Sequence, residues 1–393
     1  MQYRRFGNLD FSVSALGFGA MRLPMKGSSV DEPLAISMIR SAIDRGVNYV
    51  DTAYPYHNGT SEVIVGRALR NGYRERVKVA TKLPSWLVNT ATDFDRFLDE
   101  QLARLQMDSV DFYLLHSLNK HAWPKLRDLG VIAWAEKAIA RGRFQHLAFS
   151  FHDDAAAFLS IVDAFPWAMC QVQYNFMDVE NGAGTAGVRH AAARGIGVVV
   201  MEPLLGGKLV APPKAIQEIW NGAPRARSAA GWGLDWLWDQ AEVSTVLSGM
   251  STPEQVDENV ELARRSAVGS LTDAERALYP LVRARYNGLS LIPCTKCGYC
   301  MPCPHGVDIP GNFAAYNDGI MYDKQAAARG QYAWWKHAFE KAHILDHDVR
   351  ALNCQQCDEC LEKCPQHIPI SAWMPAIHTA LGESGPFVKS VTG

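Results

Sequence analysis

Two groups of side chains in this sequence could do chemistry. The first is Asp51 in DTAYPYHNG, Lys82 in TKL and His116 in LLHS, with the phenols of Tyr54 and Tyr56 beside the aspartate. A carboxylate, a phenol, an ammonium and an imidazole brought to one place suit proton transfer to a carbonyl oxygen. A free tyrosine ionises near ~10, and a neighbouring lysine ammonium favours the phenolate and lowers that value. An aspartate paired with the lysine keeps the ammonium charged, and a histidine within hydrogen-bond reach polarises the carbonyl or shares the proton. Any one of these residues alone reads as a strand-end cap, a rim ion pair or a satisfied core histidine. All of them after successive strands do not.

The second group is cysteine. Eight of the nine cysteines fall in two runs, Cys294-Cys297-Cys300-Cys303-Pro304 and Cys354-Cys357-Cys360-Cys364-Pro365, and only Cys170 stands apart. Cysteines that staple loops would be spread along the chain, whereas clustered ones in a long chain without a secretory signal read as metal ligands kept reduced. Three cysteines at two-residue gaps can wrap three corners of a cubane, and a distant fourth followed by proline can supply the last. Four-cysteine zinc sites would need only C-x-x-C pairs, so the third cysteine of each run favours iron–sulfur over zinc. A single cluster and zinc remain the alternatives. The first run departs from the usual three-residue gap before its final cysteine, Cys303.

The elements that must position these groups show in the periodicity. β-rich runs occur at residues 14–19, 47–51, 77–82, 110–116, 144–150, 169–175, 197–202 and 244–249. Between them lie segments such as LAISMIRSAIDRG and VIAWAEKAIARG, with apolar residues at three- and four-residue spacing and an Arg-Gly helix ending. Eight strand–helix units predict a (β/α)8 TIM barrel, an α/β fold whose chemistry sits at the C-terminal ends of its strands. Asp51, Lys82, His116, Ser150 and Glu202 end their runs. A doubly wound sheet is the competitor, weakened because no GxGxxG follows the first strand. The opening YRRFGNLDFSVS reads as a hairpin turning at Gly7-Asn8 and plugging the barrel's bottom. After Tyr286 the pattern changes to Cys/Pro/Gly-rich runs around an aromatic helical stretch at 312–350. The domains expected are therefore residues 1–286, a barrel, and residues 287–393, a small, mainly α-helical metal-binding domain.

Composition narrows the partners. The formal net charge is −2, so no bulk electrostatic attraction favours nucleic acid or an anionic membrane. The first residues lack the apolar segment of a secretory signal, and GIGVVVMEPLLGG reads as a buried strand rather than a span. The location expected is the cytoplasm.

From about residue 1 to residue 265 the chain resembles an aldo-keto reductase. That family's Asp, Tyr, Lys and His, with Tyr five positions after Asp, match Asp51, Tyr56, Lys82 and His116. The resemblance makes Tyr56 the general acid/base, His116 the residue that orients the carbonyl, and Lys82 with Asp51 the pair that tunes Tyr56. It also implies a nicotinamide nucleotide. Ser150 and Gln171 match the residues that meet the carboxamide, Phe151 replaces an Asn, and Met201 takes the place of an aromatic on the ring. Gly249, Ser251, Gln255, Glu258 and Asn259 match the loop and helix around the adenosine phosphate. NADPH-using members carry a Lys and an Arg where this chain has Gly249 and Gln255. Without those cations a 2'-phosphate lacks charge-assisted partners, which favours NADH, or no tightly bound nucleotide. Trp86, Trp123 and Tyr174 are pocket candidates by position.

The C-terminal runs resemble bacterial two-cluster ferredoxins, in which the fourth cysteine serves the other cluster. By that resemblance Cys294, Cys297, Cys300 and Cys364 hold one [4Fe–4S] cluster, and Cys354, Cys357, Cys360 and Cys303 hold a second. Together the halves resemble a bacterial and archaeal subgroup of aldo-keto reductases with a C-terminal ferredoxin domain, which GTSEVIVGRAL, FSFHDD, MEPLLGGKL and CPQHIPI also fit. The function implied is reduction of a small carbonyl, or oxidation of the alcohol, with clusters relaying electrons to or from a ferredoxin or other carrier. A hydride carries two electrons and each cluster passes one, so coupling them calls for a splitter such as a flavin; the sequence has no flavin motif, but a barrel mouth with a phosphate site could hold FMN. Two rival readings are a non-catalytic barrel acting as an electron-transfer or partner-binding subunit, and an ordinary NAD(P)H reductase with structural clusters.

Overall fold

The computed structural model describes residues 1–341 and 345–391. Its twelve strands are β1 (Tyr3–Arg5), β2 (Ser12–Ser14), β3 (Leu16–Gly19), β4 (Met25–Lys26), β5 (Ser29–Val30), β6 (Tyr49–Asp51), β7 (Lys78–Leu83), β8 (Val110–Leu118), β9 (Phe144–Phe151), β10 (Met169–Gln173), β11 (Gly197–Met201) and β12 (Thr245–Ser248). Eight of them close a barrel in the order β3-β6-β7-β8-β9-β10-β11-β12 and back to β3, every neighbour parallel. Each barrel strand falls within a residue or two of its expected run. The extra β4–β5 hairpin was not legible, because its strands have two residues each and no alternation to read.

Side chains divide by strand parity, as closure requires. Tyr49, Ala80, Phe112, Leu114, Ala148, Met169, Val199 and Leu247 fill the interior, while Val50, Tyr113, Leu115, Phe149 and Val200 face the helical layer. The antiparallel pair β1–β2 sends Phe6 and Val13 into that interior cluster, where Phe6 meets Tyr49 edge-on at 5.9 Å and Phe112 at 5.3 Å. Its turn needs glycine. Gly7 has φ 56°, and a Cβ there would fall 2.4 Å from the Gly195 carbonyl oxygen.

By contacts the chain divides into two compact units, Met1–Gly206 with Arg227–Arg276, and Gly207–Ala226 with Ala277–Gly393. The second carries the eight clustered cysteines. Its helices Ile309–Met321, Gln325–Glu340 and Ile370–Gly382 pack around Phe313, Tyr316, Tyr332, Met374 and Ile377, and six of the cysteines pack against that core. Among the described residues no helix is long and apolar enough to cross a membrane.

Candidate active site and cysteine loops

The barrel's parallel order carries the predicted residues to one end. Asp51 ends β6, Lys82 lies in β7, His116 in β8, Ser150 in β9, Gln171 in β10 and Met201 in β11, while Gly249 and Ser251 follow β12. Tyr56 opens the short 3-10 turn Tyr56–Gly59 after β6. The phenols part company here. The Tyr54 hydroxyl turns to Glu100 at 3.3 Å and its ring packs edge-on to Phe97, whereas the Tyr56 hydroxyl accepts from Lys82 Nζ at 3.4 Å.

Lys82 is fully buried and its three protons are accounted for. Nζ donates to Asp51 Oδ1 at 2.6 Å, to the Thr52 carbonyl at 2.8 Å and to Tyr56. Breaking a buried pair of this kind by removing one partner costs about 3–5 kcal/mol, so the ammonium and the carboxylate stand or fall together. Burial alone would lower the Lys82 pKa, but Asp51 and Tyr56 outweigh it and the net is upward. Behind Lys82, Gln101 Nε2 donates to its carbonyl at 3.0 Å and to Glu62 Oε1 at 2.7 Å, and Thr81 Oγ1 donates to the same Glu62 oxygen at 2.6 Å. This buried network fixes the strand that presents the lysine. The sequence singled out GTSEVIVGRAL but not the role of its Glu62.

One expectation needs correction. Lys82 does not leave Tyr56 more acidic than a free tyrosine. Burial raises the phenol's pKa, and Lys82 opposes that only in part. The resting group is a neutral phenol, suited to giving up a proton. His116 moves the other way: burial, then Lys82 and His152, hold it well below the usual histidine range, so the imidazole is neutral. Its ring stands edge-on to Tyr56 at 6.1 Å and against the exposed Trp86 at 5.1 Å. Trp86 therefore borders the site. Trp123 packs against Trp167, and the Tyr174 hydroxyl bonds Thr185 and Gln240, so both belong to the outer layer.

Among the residues that the resemblance assigns to a nucleotide, Gln171 Nε2 lies 3.7 Å from Met201 Sδ, while Gln171 Oε1 is a buried acceptor with no protein partner. Ser150 Oγ accepts from the Ser117 N–H at 2.9 Å. Phe151 faces outward onto Phe158, so the position at which the resemblance expects an Asn belongs here to the core. Ser251 N–H donates to Gln255 Oε1 at 2.7 Å, and Asn259 Nδ2 donates to Ser248 Oγ at 3.0 Å. Glu258 stands exposed on the helix Pro253–Arg264. The side-chain stem of Arg22 covers Gly249, with carbons 3.1–3.2 Å from where a Cβ would be.

The cysteine loops repeat each other in backbone detail. Two residues after the leading cysteine, Lys296 (φ 58°) and Gln356 (φ 51°) are left-handed, and their N–H groups donate to Cys294 Sγ at 3.5 Å and Cys354 Sγ at 3.4 Å. Two further on, Gly298 and Asp358 are left-handed, and their carbonyls accept from Met301 and Leu361. After each Cys-Pro, the N–H groups of Gly306 and His367 donate back to Cys303 and Cys364, and a helix starts three residues later, at Ile309 and Ile370. Two asparagines tether the loops. Asn317 Oδ1 accepts from Leu291 and Ile292 just before Cys294, and Asn312 Oδ1 accepts from Ala351 just before Cys354. Both are buried, and the sequence reading passed them over.

The structure sorts the cysteines across the repeats. Cys294, Cys297, Cys300 and Cys364 line one hollow, and Cys303, Cys354, Cys357 and Cys360 line another, which Cys300 also borders. The shorter gap before Cys303 does not keep it from the second repeat's set.

Comparison with known proteins agrees with this architecture. The aldo/keto reductase family model matches residues 15–268. The chain belongs to that family. A second model, the 4Fe-4S dicluster domain, matches residues 293–368, so the aldo/keto reductase barrel is followed by an iron–sulfur domain. Among relatives, the L-galactose dehydrogenase of Arabidopsis thaliana is 28% identical over 286 residues, 66% of this chain and 87% of its own. The 6-dehydroglucose reductase of Novosphingobium aromaticivorans is 26% identical over 265 residues, 62% and 84% of the two chains. Among solved structures, an aldo-keto reductase from Bacillus halodurans in its holo form matches at TM-score 0.61 and 25% identity, covering 72% of this chain and 96% of its own. One from Klebsiella pneumoniae in complex with NADPH matches at TM-score 0.60 and 23% identity, covering 72% and 95%. The protein is an oxidoreductase of the aldo/keto reductase family.

Proposed function

We propose that the barrel interconverts a small carbonyl and its alcohol, with Tyr56 as general acid in reduction and general base in oxidation. The observation that carries this is the buried Lys82 ammonium, held by Asp51 and donating to the Tyr56 hydroxyl. The phenol protonates the carbonyl oxygen as negative charge develops there, and Lys82 stabilises the phenolate left behind. Neutral His116 has an N–H to orient that oxygen. Among relatives, the names L-galactose dehydrogenase and 6-dehydroglucose reductase favour a hydroxylated, sugar-like substrate.

The residues at the mouth fit a nicotinamide nucleotide. The unpartnered buried oxygen of Gln171 calls for a donor such as a carboxamide N–H, and Ser251 with the start of the helix Pro253–Arg264 suits a phosphate. Without cations at Gly249 and Gln255 the adenosine end favours NADH over NADPH, and a flavin is the alternative occupant of the mouth. The cysteine sets fit two [4Fe–4S] clusters, one held by Cys294, Cys297, Cys300 and Cys364, the other by Cys354, Cys357, Cys360 and Cys303. Each set rings a hollow rather than meeting at a point, and among the described residues no three such side chains converge on a single ion. The nucleotide would supply hydride, and the clusters one-electron exchange with a ferredoxin-like carrier in a reducing cytoplasm. The cluster-bearing domain would be residues 287–393.

Tyr56→Phe in the anaerobically reconstituted protein tests the catalytic role. Turnover of L-galactose with NAD+ should fall by at least ~10²-fold. Undiminished turnover would remove Tyr56 from the proton transfer, and a wild type that turns over no carbonyl or alcohol would leave the barrel as an electron-transfer or partner-binding unit. The packing of six cysteines against the helical core favours one further reading, in which the clusters are structural. In that case, replacing Cys354 and Cys357 destabilises the domain and leaves transfer from a reduced external donor unchanged.

A further inference from the structure

β8 and β9 pair in step from Val110 with Phe144 to Leu115 with Phe149, then resume one residue out of step at Leu118 with Phe151. Between those pairs β8 has two residues, His116 and Ser117, and β9 has one, Ser150. The extra residue makes a bulge, which is uncommon between parallel strands and tends to re-aim a side chain. Ser117 sits at φ 55°, in the left-handed region that side chains other than glycine enter at a cost. Its N–H donates to the Ser150 hydroxyl at 2.9 Å. His116 opens the bulge. It faces inward by the alternation that puts Phe112 and Leu114 in the barrel interior and Tyr113, Leu115 and Leu118 in the outer layer.

We propose that Ser150 is a positioning residue for His116, its hydroxyl oxygen locking the bulge from which the imidazole is presented. Ser150 is 1% exposed, so water does not readily replace it as partner to the Ser117 N–H. A serine hydroxyl has one proton and two lone pairs, so accepting from Ser117 leaves the O–H free for a ligand such as a carboxamide oxygen. One side chain thus ties the element carrying His116 to the place where a nucleotide would rest. The role in turnover rests on the carbonyl-reducing reading of the mouth. The bulge lock itself does not.

The test uses the full chain with reconstituted clusters and the variants Ser150→Ala, Ser150→Thr, Ser117→Gly and Ser150→Ala with Ser117→Gly. Turnover of D-glyceraldehyde is measured with NADH and NADPH, and nucleotide affinity separately by fluorescence. Ser150→Ala should lower kcat by roughly 10²-fold, the scale of a small misplacement of a catalytic group, with nucleotide affinity changed far less. Ser150→Thr, which keeps the acceptor, should recover most of the rate. Ser117→Gly, which relieves the left-handed backbone, should recover part of it in the double variant. A loss confined to nucleotide affinity, or a kcat that neither Ser150→Thr nor Ser117→Gly restores, overturns the proposal.

If Ser150→Ala does not fold, Ser150→Cys, a weak acceptor, takes its place with the same order expected. A crystal structure of the variant gives a readout independent of turnover. Ser117 should leave its left-handed conformation or the offset after Leu115 should vanish, and an unchanged bulge rejects the lock. Tyr56→Phe assayed alongside separates the two claims. Full turnover there removes Tyr56 as the proton donor, and no turnover in the wild type sinks the carbonyl-reducing reading, whereas an inactive Tyr56→Phe beside a wild-type kcat in Ser150→Ala sinks only the positioning role.

Discussion

Lys82 Nζ donates to the Tyr56 hydroxyl at 3.4 Å, yet the phenol stays less acidic than a free tyrosine because burial outweighs the cation. A raised pKa keeps Tyr56 protonated across neutral pH. In the reducing direction kcat should then be level through neutrality and fall only above pH ~10, while oxidation, which needs the phenolate, should climb with pH over the same range.

Removing the cation should push Tyr56 further in the same direction. Lys82→Met alone would strand the buried Asp51 carboxylate at a cost of about 3–5 kcal/mol, so the informative variant pairs it with Asp51→Asn. The alkaline limb of the reductive pH–rate profile should move to higher pH. A limb that moves down would mean that Lys82 does not stabilise the phenolate.

The adenosine end makes a separate prediction. Gln255 is exposed and closes the loop through Ser251, while a side chain at Gly249 would have to displace the Arg22 stem. Wild-type protein should bind NADH more tightly than NADPH. Gln255→Arg adds a cation without disturbing the core, and should shift the ratio of the two dissociation constants about tenfold towards NADPH, the value of one charge-assisted hydrogen bond. Fluorescence titration with both nucleotides reads it directly. A wild type that prefers NADPH contradicts the reading of Gly249 and Gln255.

The barrel was legible because each buried parallel strand is a short, largely apolar run, and Asp51, Lys82 and His116 lie within two residues of a strand's C-terminal end. What the sequence hid is local and depends on register. A bulge at His116–Ser117 leaves no trace in apolar alternation, because both residues are polar and sit where the strand is ending. The choice between Tyr54 and Tyr56 came from resemblance, and the physical ground for it is that Glu100, forty-six residues on, claims Tyr54. The direction of the Tyr56 shift was misjudged because a sequence names neighbouring charges but not the depth at which they act. Asn312 and Asn317 were passed over because a helical asparagine reads as surface until its partners at 349–351 and 291–292 are known.

The cysteine sets predict a pattern of non-additivity. Cys303 lies with Cys354, Cys357 and Cys360, although it follows Cys300 by only three positions, and Cys364 lies with the first run. If each set holds one cluster, Cys303→Ala and Cys354→Ala damage the same cluster, and combining them should remove little more iron than the worse of the two. Cys303→Ala combined with Cys294→Ala strikes both clusters, and should take iron and sulfide from about eight of each per chain towards zero. Iron and sulfide analysis of anaerobically purified protein, with electron paramagnetic resonance of the reduced forms, distinguishes the two combinations. The opposite pattern, with Cys303 and Cys294 acting on one cluster and Cys303 and Cys354 on two, would return Cys303 to its own run and reject the exchange of fourth ligands between the repeats.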